Sequence, residues 1–161
     1  MIFRTSTVTE EIAKEHIARK ILKNLPDWFG IEEATEEYIE TSKSLPFFAV
    51  YHEDQPAGFI ALKLHNAYTA EVYVMGILKE FHRQGLGKAL VGEAEAFCLE
   101  NSMEFLTVKT LDASRESEEY HKTRRFYESL GFKPLEVFPT LWDESSPCLF
   151  MAKYLKHDSD N

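Results

Sequence analysis

The sequence predicts an α/β (α+β) domain, and three observations predict it. Helical apolar stripes alternate along the chain with strand-length runs of β-branched and aromatic residues. The stretch from Val72 to Leu90 passes from a strand pattern to a helix pattern through a short basic turn with two glycines. The 161 residues, 44% hydrophobic and 13% aromatic, are enough to fill one core. The expected organisation is a single domain over residues 1–155, followed by a polar tail at 156–161.

In chain order, residues 2–8 read as a strand, and Thr7-x-x-Glu10 reads as a capping box for the helix after it. Ile12, Ile17, Ile21, Leu22 and Leu25 give that helix its buried stripe, which ends near Pro26. Trp28-Phe29-Gly30 is a connector. Residues 31–43 read as a second helix, with Ile31, Ala34, Tyr38 and Ile39 on one side. Phe47–Glu53 and Phe59–His65 read as two strands of a hairpin around a turn at 54–58. After Asn66-Ala67 comes the long strand 69–78. The glycine turn then leads into a helix running to about Asn101, with apolar residues at 86, 89, 90, 94 and 97, widened by Val91 and Cys98. Glu104–Lys109 is a strand and 110–118 a loop. Glu119–Leu130 is a helix closed by Gly131. Phe132–Phe138 and Cys148–Leu155 are the last strands, joined by a longer loop that holds Trp142. No internal repeat or low-complexity block interrupts this order.

Charge and composition narrow the function. A net charge of −9 argues against nucleic acid, because phosphate contacts need a basic face. The same acidity suits a cationic small molecule. Cys98 and Cys148 lie far apart on apolar patterns, as expected of core thiols in a reduced, cytoplasmic chain. No Cys or His spacing suggests a metal. No apolar run approaches the ~20 residues of a membrane span, and the first residues do not pattern as a signal peptide.

The basic turn is the main chemical signal. Glycine admits positive φ and lets a ligand approach main-chain N–H groups closely. A helix starting there leaves its first four N–H groups without intrahelical partners, and the positive end of its dipole attracts an anion. Lys79, His82, Arg83 and Lys88 add positive or titratable charge around the turn. The reading is a phosphate or pyrophosphate cradle. It is not a Walker A loop, since Gly87-Lys88 is followed by Ala89. Nor is it the dinucleotide fingerprint, since Leu90 stands where the third glycine belongs.

This turn resembles the acetyl-CoA signature of the GCN5-related N-acetyltransferase superfamily, Gln/Arg-x-x-Gly-x-Gly/Ala. The signature falls on His82-Arg83-Gln84-Gly85-Leu86-Gly87, with His at the first position. Gln84-x-x-Gly87-x-Ala89 also fits, so two registers stand open. A second feature of that superfamily, Phe-Tyr followed after three residues by Gly-Phe, falls on Phe126-Tyr127 and Gly131-Phe132. The region around Leu135–Asp143 and Pro147–Leu149 resembles a bacterial branch sometimes labelled aminoglycoside-like.

The resemblance implies a mixed, mostly antiparallel sheet of about seven strands flanked by about four helices, in the order traced above. It implies acetyl-CoA as cosubstrate, with no metal. Main-chain groups of His82, Arg83, Gln84, Gly85, Leu86, Gly87 and Lys88 would hold the pyrophosphate, and those of Met75, Gly76 and Ile77 the acetyl carbonyl and pantetheine arm. Gly76 suits a strand bulge there. Tyr127 matches the superfamily's general acid beside the coenzyme sulfur. Glu71, eleven residues before His82, matches the glutamate that one branch uses as base. Glu53, His65, Asp112 and His121 are the alternatives for that role. Tyr120 replaces a common asparagine, which puts one coenzyme contact in doubt. Trp28, Phe29 and Tyr38 fall where the acceptor site is usually shaped.

The activity implied is acetyl transfer to a primary amine, either a small cationic metabolite or antibiotic, or a lysine or protein N-terminus. The alternative is a coenzyme-A-binding sensor without turnover. Homodimers are common in the superfamily.

Overall fold

The computed structural model describes residues 2–155. Its elements follow the predicted order: β1 (Phe3–Thr7), α1 (Glu11–Lys23), α2 (Glu32–Ser42), β2 (Phe47–His52), β3 (Gln55–Leu64), β4 (Thr69–Ile77), α3 (Leu86–Glu100), β5 (Phe105–Leu111), α4 (Glu118–Ser129), β6 (Lys133–Asp143) and β7 (Ser146–Tyr154). The strands form one mixed seven-stranded sheet, ordered β1-β2-β3-β4-β5-β7-β6. The polar tail expected at 156–161 lies outside the described residues. Among the described residues no helix is long and apolar enough to cross a membrane.

The chain divides into two compact units: Met1–Lys63 with Val72–Phe97, and Leu64–Glu71 with Cys98–Asn161.

In the first unit β1 pairs with β2 and β2 with β3, all antiparallel. The hairpin between β2 and β3 turns on Glu53 and Asp54, with φ of 48° and 68°. Two consecutive left-handed residues match the twist of the flanking strands. The turn is therefore tighter than the 54–58 expected, and Pro56, Ala57 and Gly58 lie within β3. The core of this unit gathers Ile17, Ile21, Leu22, Ile39, Phe47, Phe59 and Val74. Phe47 and Phe59 stack at 4.9 Å, and burying each contributes about 1.5–3 kcal/mol.

Ile17, Ile21, Leu22 and Leu25 are buried as expected, as is Ile39 on α2, and both early helices depart from the expected stripe at particular positions. Ile12 is 81% exposed, while Lys14 is buried. The Lys14 ammonium donates to Leu45 O at 2.7 Å and to Lys43 O at 3.5 Å, so its stem packs while its head satisfies carbonyls just past α2. α2 buries Thr35, Ile39 and Ser42 and leaves Ile31 and Ala34 exposed. The Thr35 hydroxyl donates to Ile31 O or Phe29 O, which makes a polar residue acceptable on the packed face. The capping box does not form: Glu10 is the N-cap of α1 and makes no side-chain cap. On α3, Leu86, Leu90, Val91, Ala94 and Cys98 are buried as expected, and Ala89 is exposed.

Two glycines set the spacing of this unit. A Cβ on Gly76 would lie 2.9 Å from Ile21 Cγ2 and 3.1 Å from Leu25 Cδ1, so α1 presses on β4 where β4 has no side chain. A Cβ on Gly58 would lie 2.8 Å from Gly76 O.

In the second unit β7 pairs antiparallel with β5 and with β6. The loop expected to hold Trp142 is instead strand, and Asp143 and Ser146 face each other across a tight turn. The Asp143 carboxylate accepts from Ser145 N–H and Oγ, closing that turn without glycine. α4 is capped by Ser117, whose hydroxyl accepts from Tyr120 N–H at 3.3 Å. Arg124 is buried and donates to Leu111 O at 2.6 Å. Gly131, at φ +97°, ends the helix.

Two predictions follow from this packing. Gly58→Ala forces a methyl against backbone and is expected to cost about 1–3 kcal/mol. Gly92→Ala, where the added methyl meets nothing within 4 Å on a helix, is expected to gain about 0.5–1 kcal/mol. Denaturant midpoints of the two variants should move in opposite directions.

Glu36 carries the second. Arg19, at 2.6 Å, and Lys23, at 3.0 Å, bond its carboxylate. The Arg19 hydrogen bond first, then that of Lys23, lower its pKa from 4.5 to about 2. A lowered carboxylate pKa stabilises the fold fully above the unfolded value, and that contribution is lost as pH falls through the folded one. Glu36→Gln should therefore flatten the acid limb of stability between about pH 4.5 and 2, read by acid titration of the folded fraction.

Candidate active site

In the first unit the basic turn follows β4 directly. Leu78 N–H donates to Ala57 O at 2.9 Å, and a single 3-10 turn, Lys79–Phe81, leads to His82. Arg83, at φ 63°, and Gly85, at φ +79°, are both left-handed and reverse the chain into α3 within a few residues. Nothing lies within 4 Å of where a Gly85 Cβ would stand, so the backbone faces open space there. The Ala89 N–H donates to Gly85 O at 3.1 Å. The amides of Leu86, Gly87 and Lys88 precede that bond and have no acceptor one helical turn back. They point out of the N-terminus of α3 with the positive end of its dipole.

The charges at the turn divide by role. The Lys79 ammonium pairs with the Asp27 carboxylate and stands 5.8 Å over the Trp28 ring. The His82 ring donates from Nε2 to Ile77 O at 2.7 Å and meets Trp28 edge-on at 5.7 Å. These two side chains hold the turn to β4 and to the α1–α2 connector. Arg83 and Lys88 are exposed and make no ion pair among the described residues. Leu86 is buried and anchors the first turn of α3. Of the expected pantetheine-arm positions, Met75 and Ile77 are half-buried. Gly76 has a packing reason of its own, set by α1.

Of the three aromatic candidates, Phe29 and Tyr38 join a chain of edge-to-face rings. Phe29 meets Tyr38 at 5.8 Å, and Tyr38 meets Tyr73 of β4 at 5.3 Å. Tyr73 was not singled out from sequence. Side chains alternate along a strand, so it shares a face of β4 with Glu71.

The second unit holds the titratable groups. Glu71 is not a solvated strand-end residue: it is only 6% exposed. Its Oε1 accepts from His65 Nε2 at 2.6 Å and from Lys109 Nζ at 3.4 Å. His65 follows β3, and its backbone N–H donates to Thr69 O at 3.0 Å. Asn66 Oδ1 accepts from the amides of Tyr68 and Thr69, so the short connection that positions His65 is itself bonded. Cys148 on β7 is buried, and burial pushes its thiol up to about 11, with Lys109 lowering it and Glu71 raising it. The thiol therefore stays protonated beside the pair at neutral pH.

Tyr127 is buried on α4 between Phe126, at 5.2 Å, and Phe132, at 5.3 Å. Burial, and then Tyr120 on the same helix, push its phenol well above the usual tyrosine range. It holds its proton at neutral pH, which a general acid requires. The other base candidates lie elsewhere. Glu53 sits in the β2–β3 turn, His121 is exposed on α4, and the Asp112 carboxylate accepts from Ser114 N–H. Among the described residues no group of three or more His, Cys, Asp and Glu is placed to hold a metal.

The family model for the acetyltransferase (GNAT) domain matches residues 43–134. An uncharacterized N-acetyltransferase of Chlorobaculum tepidum is 26% identical over 121 residues, covering 73% of this chain and 70% of its own. A solved GNAT-family acetyltransferase from Desulfovibrio desulfuricans superposes with a TM-score of 0.80 at 16% identity, covering 96% of this chain and all of that one. An aminoglycoside 6'-N-acetyltransferase solved with coenzyme A superposes with a TM-score of 0.73 at 18% identity, over 98% of each chain. At those identities the two solved structures share the fold.

The geometry of the turn gives a direct test. Gly85→Ala places a Cβ on left-handed backbone and is expected to cost about 1–2 kcal/mol of stability. No steric clash adds to this, since the space beside Gly85 is open. Urea denaturation should show that loss.

Proposed function

This chain belongs to the GNAT acetyltransferases, and on that premise we propose that it moves the acetyl group of acetyl-CoA to a primary amine by direct attack in a ternary complex. The observation that carries the reading is the junction at residues 82–88. There two left-handed residues hand an open backbone to the N-terminus of α3. An anion is best met by such unpaired N–H groups. Gln84, Gly85, Leu86, Gly87 and Lys88 would present main-chain donors to the pyrophosphate, with Arg83 and Lys88 supplying charge. Met75, Gly76 and Ile77 would line the thioester arm.

The reaction needs an amine without its extra proton, a donor for the oxyanion, and an acid for the departing thiolate. Tyr127 is the proposed acid. The proton acceptor belongs to the group built on Glu71. The acceptor substrate we propose is a small cationic amine: the chain carries a net charge of −9, and the Phe29–Tyr38–Tyr73 rings, meeting edge to face, supply apolar and π surface. A peptide amine is the alternative acceptor. Two buried free cysteines fit a reducing, cytoplasmic setting.

Thiol release from acetyl-CoA, followed with DTNB across a panel of polyamines, aminoglycosides and lysine or N-terminal peptides, tests the reading. Turnover is expected on the small cationic amines. Tyr127→Phe should lower kcat about a hundredfold while leaving KM for acetyl-CoA nearly unchanged. Coenzyme binding without turnover on any amine would instead make the chain a coenzyme sensor.

A further inference from the structure

We propose that His65 is the group that takes the proton from the acceptor amine, and that Glu71 is its positioning residue rather than the base itself. The assignment rests on the acetyl-transfer reading above and divides the roles within it. The Glu71 carboxylate is enclosed, its side chain 7% exposed, and its Oε1 is engaged by both His65 Nε2 and Lys109 Nζ. The His65 side chain is 36% exposed. One member of the pair is closed off and bonded, and the other is open to a substrate.

The geometry is that of a base held by an orienting carboxylate. The bond at 2.6 Å fixes the Nε2–H tautomer of the neutral ring, because a carboxylate accepts. Nδ1 then carries the lone pair. The bonded turn at Asn66 and the His65 N–H to Thr69 O bond hold the ring in place. Lys109 from β5 balances the Glu71 charge while His65 is neutral. When the ring becomes cationic, the carboxylate lies directly against it. Cys148, facing the same group from β7, remains a neutral thiol.

The step balances as follows. The substrate ammonium gives one proton to His65 Nδ1, directly or through one water. The freed nitrogen lone pair forms the N–C bond at the thioester carbonyl, and the C–S pair leaves with sulfur. Tyr127 protonates that thiolate and regains a proton from the acylated nitrogen through solvent. His65 returns its proton to solvent. The products are the amide, coenzyme A thiol and one proton.

His65→Gln, Glu71→Gln and Lys109→Met are compared on the amine that the unaltered chain turns over best, with product counted as acetylated acceptor by mass spectrometry. His65→Gln is expected to lose about a hundredfold in kcat, to keep KM for acetyl-CoA within twofold, and to lose the acid limb of its kcat profile. Glu71→Gln should lose less, keep that limb and move its midpoint. Lys109→Met should stay within about fivefold. His65→Ala should regain activity when free imidazole is added, a rescue that a purely structural histidine would not show. Near-normal kcat in His65→Gln beside an inactive Glu71→Gln would overturn the assignment and make Glu71 the base. A Glu71→Gln profile superimposable on the unaltered one would also overturn it. Absence of turnover by the unaltered chain on every amine would fell the acetyl-transfer reading, and this assignment with it.

Discussion

The missing side chain at Gly76 is the constraint on which the rest of the structure depends. Ile21 and Leu22 of α1, and Leu25 just beyond it, reach within 2.9–3.4 Å of where a Cβ would be. A side chain there would have to displace those side-chain ends. α1 in turn carries Lys14, whose ammonium satisfies the carbonyls after α2, and Arg19 and Lys23, which bond Glu36. Its exit leads to Asp27 and Trp28, which grip Lys79 and His82. The geometry of the basic turn is thus set partly by how closely α1 approaches β4 just before it. Close-packed interiors transmit such constraints because they have little room to relax.

That arrangement also decides which charges at the turn are available. Four basic or titratable side chains surround it in the sequence, but two are occupied in holding it together. An anion held there by an acidic protein would rely on main-chain N–H groups and a helix dipole, with Arg83 and Lys88 as the side-chain contribution. Backbone donors have a practical advantage: they are fixed by the fold and lose no rotamer freedom on binding.

The sequence made some of this legible and hid the rest for physical reasons. Element order and the glycine turn were legible, because apolar periodicity and left-handed glycine are local signals. Most of the α1 stripe was legible too, but the polar residues that pack on α1 and α2 were not. Lys14 and Thr35 pack because each bonds a nearby carbonyl, while Ile12 and Ile31 stay exposed, and hydropathy alone cannot separate these cases. The two tight hairpins were blurred because neither uses glycine. One turns on left-handed Glu53 and Asp54, the other on the Asp143 carboxylate. Tyr127 and Glu71 were singled out through their spacing to a motif. Their surroundings were not, since His65, Glu71 and Lys109 come from three segments that only sheet pairing brings together.

Environment then separates groups of similar reactivity into distinct roles. Tyr127 is buried among rings, which penalises the phenolate and keeps the proton available for transfer. Glu71 is buried too, but its Oε1 accepts from two donors. His65 shares that hydrogen bond yet remains partly open. Proton transfer needs a group that is both oriented and reachable, and orientation by a buried neighbour supplies the first without removing the second. A carboxylate that is itself enclosed satisfies one condition only, and this is the physical reason for dividing the work between the two residues.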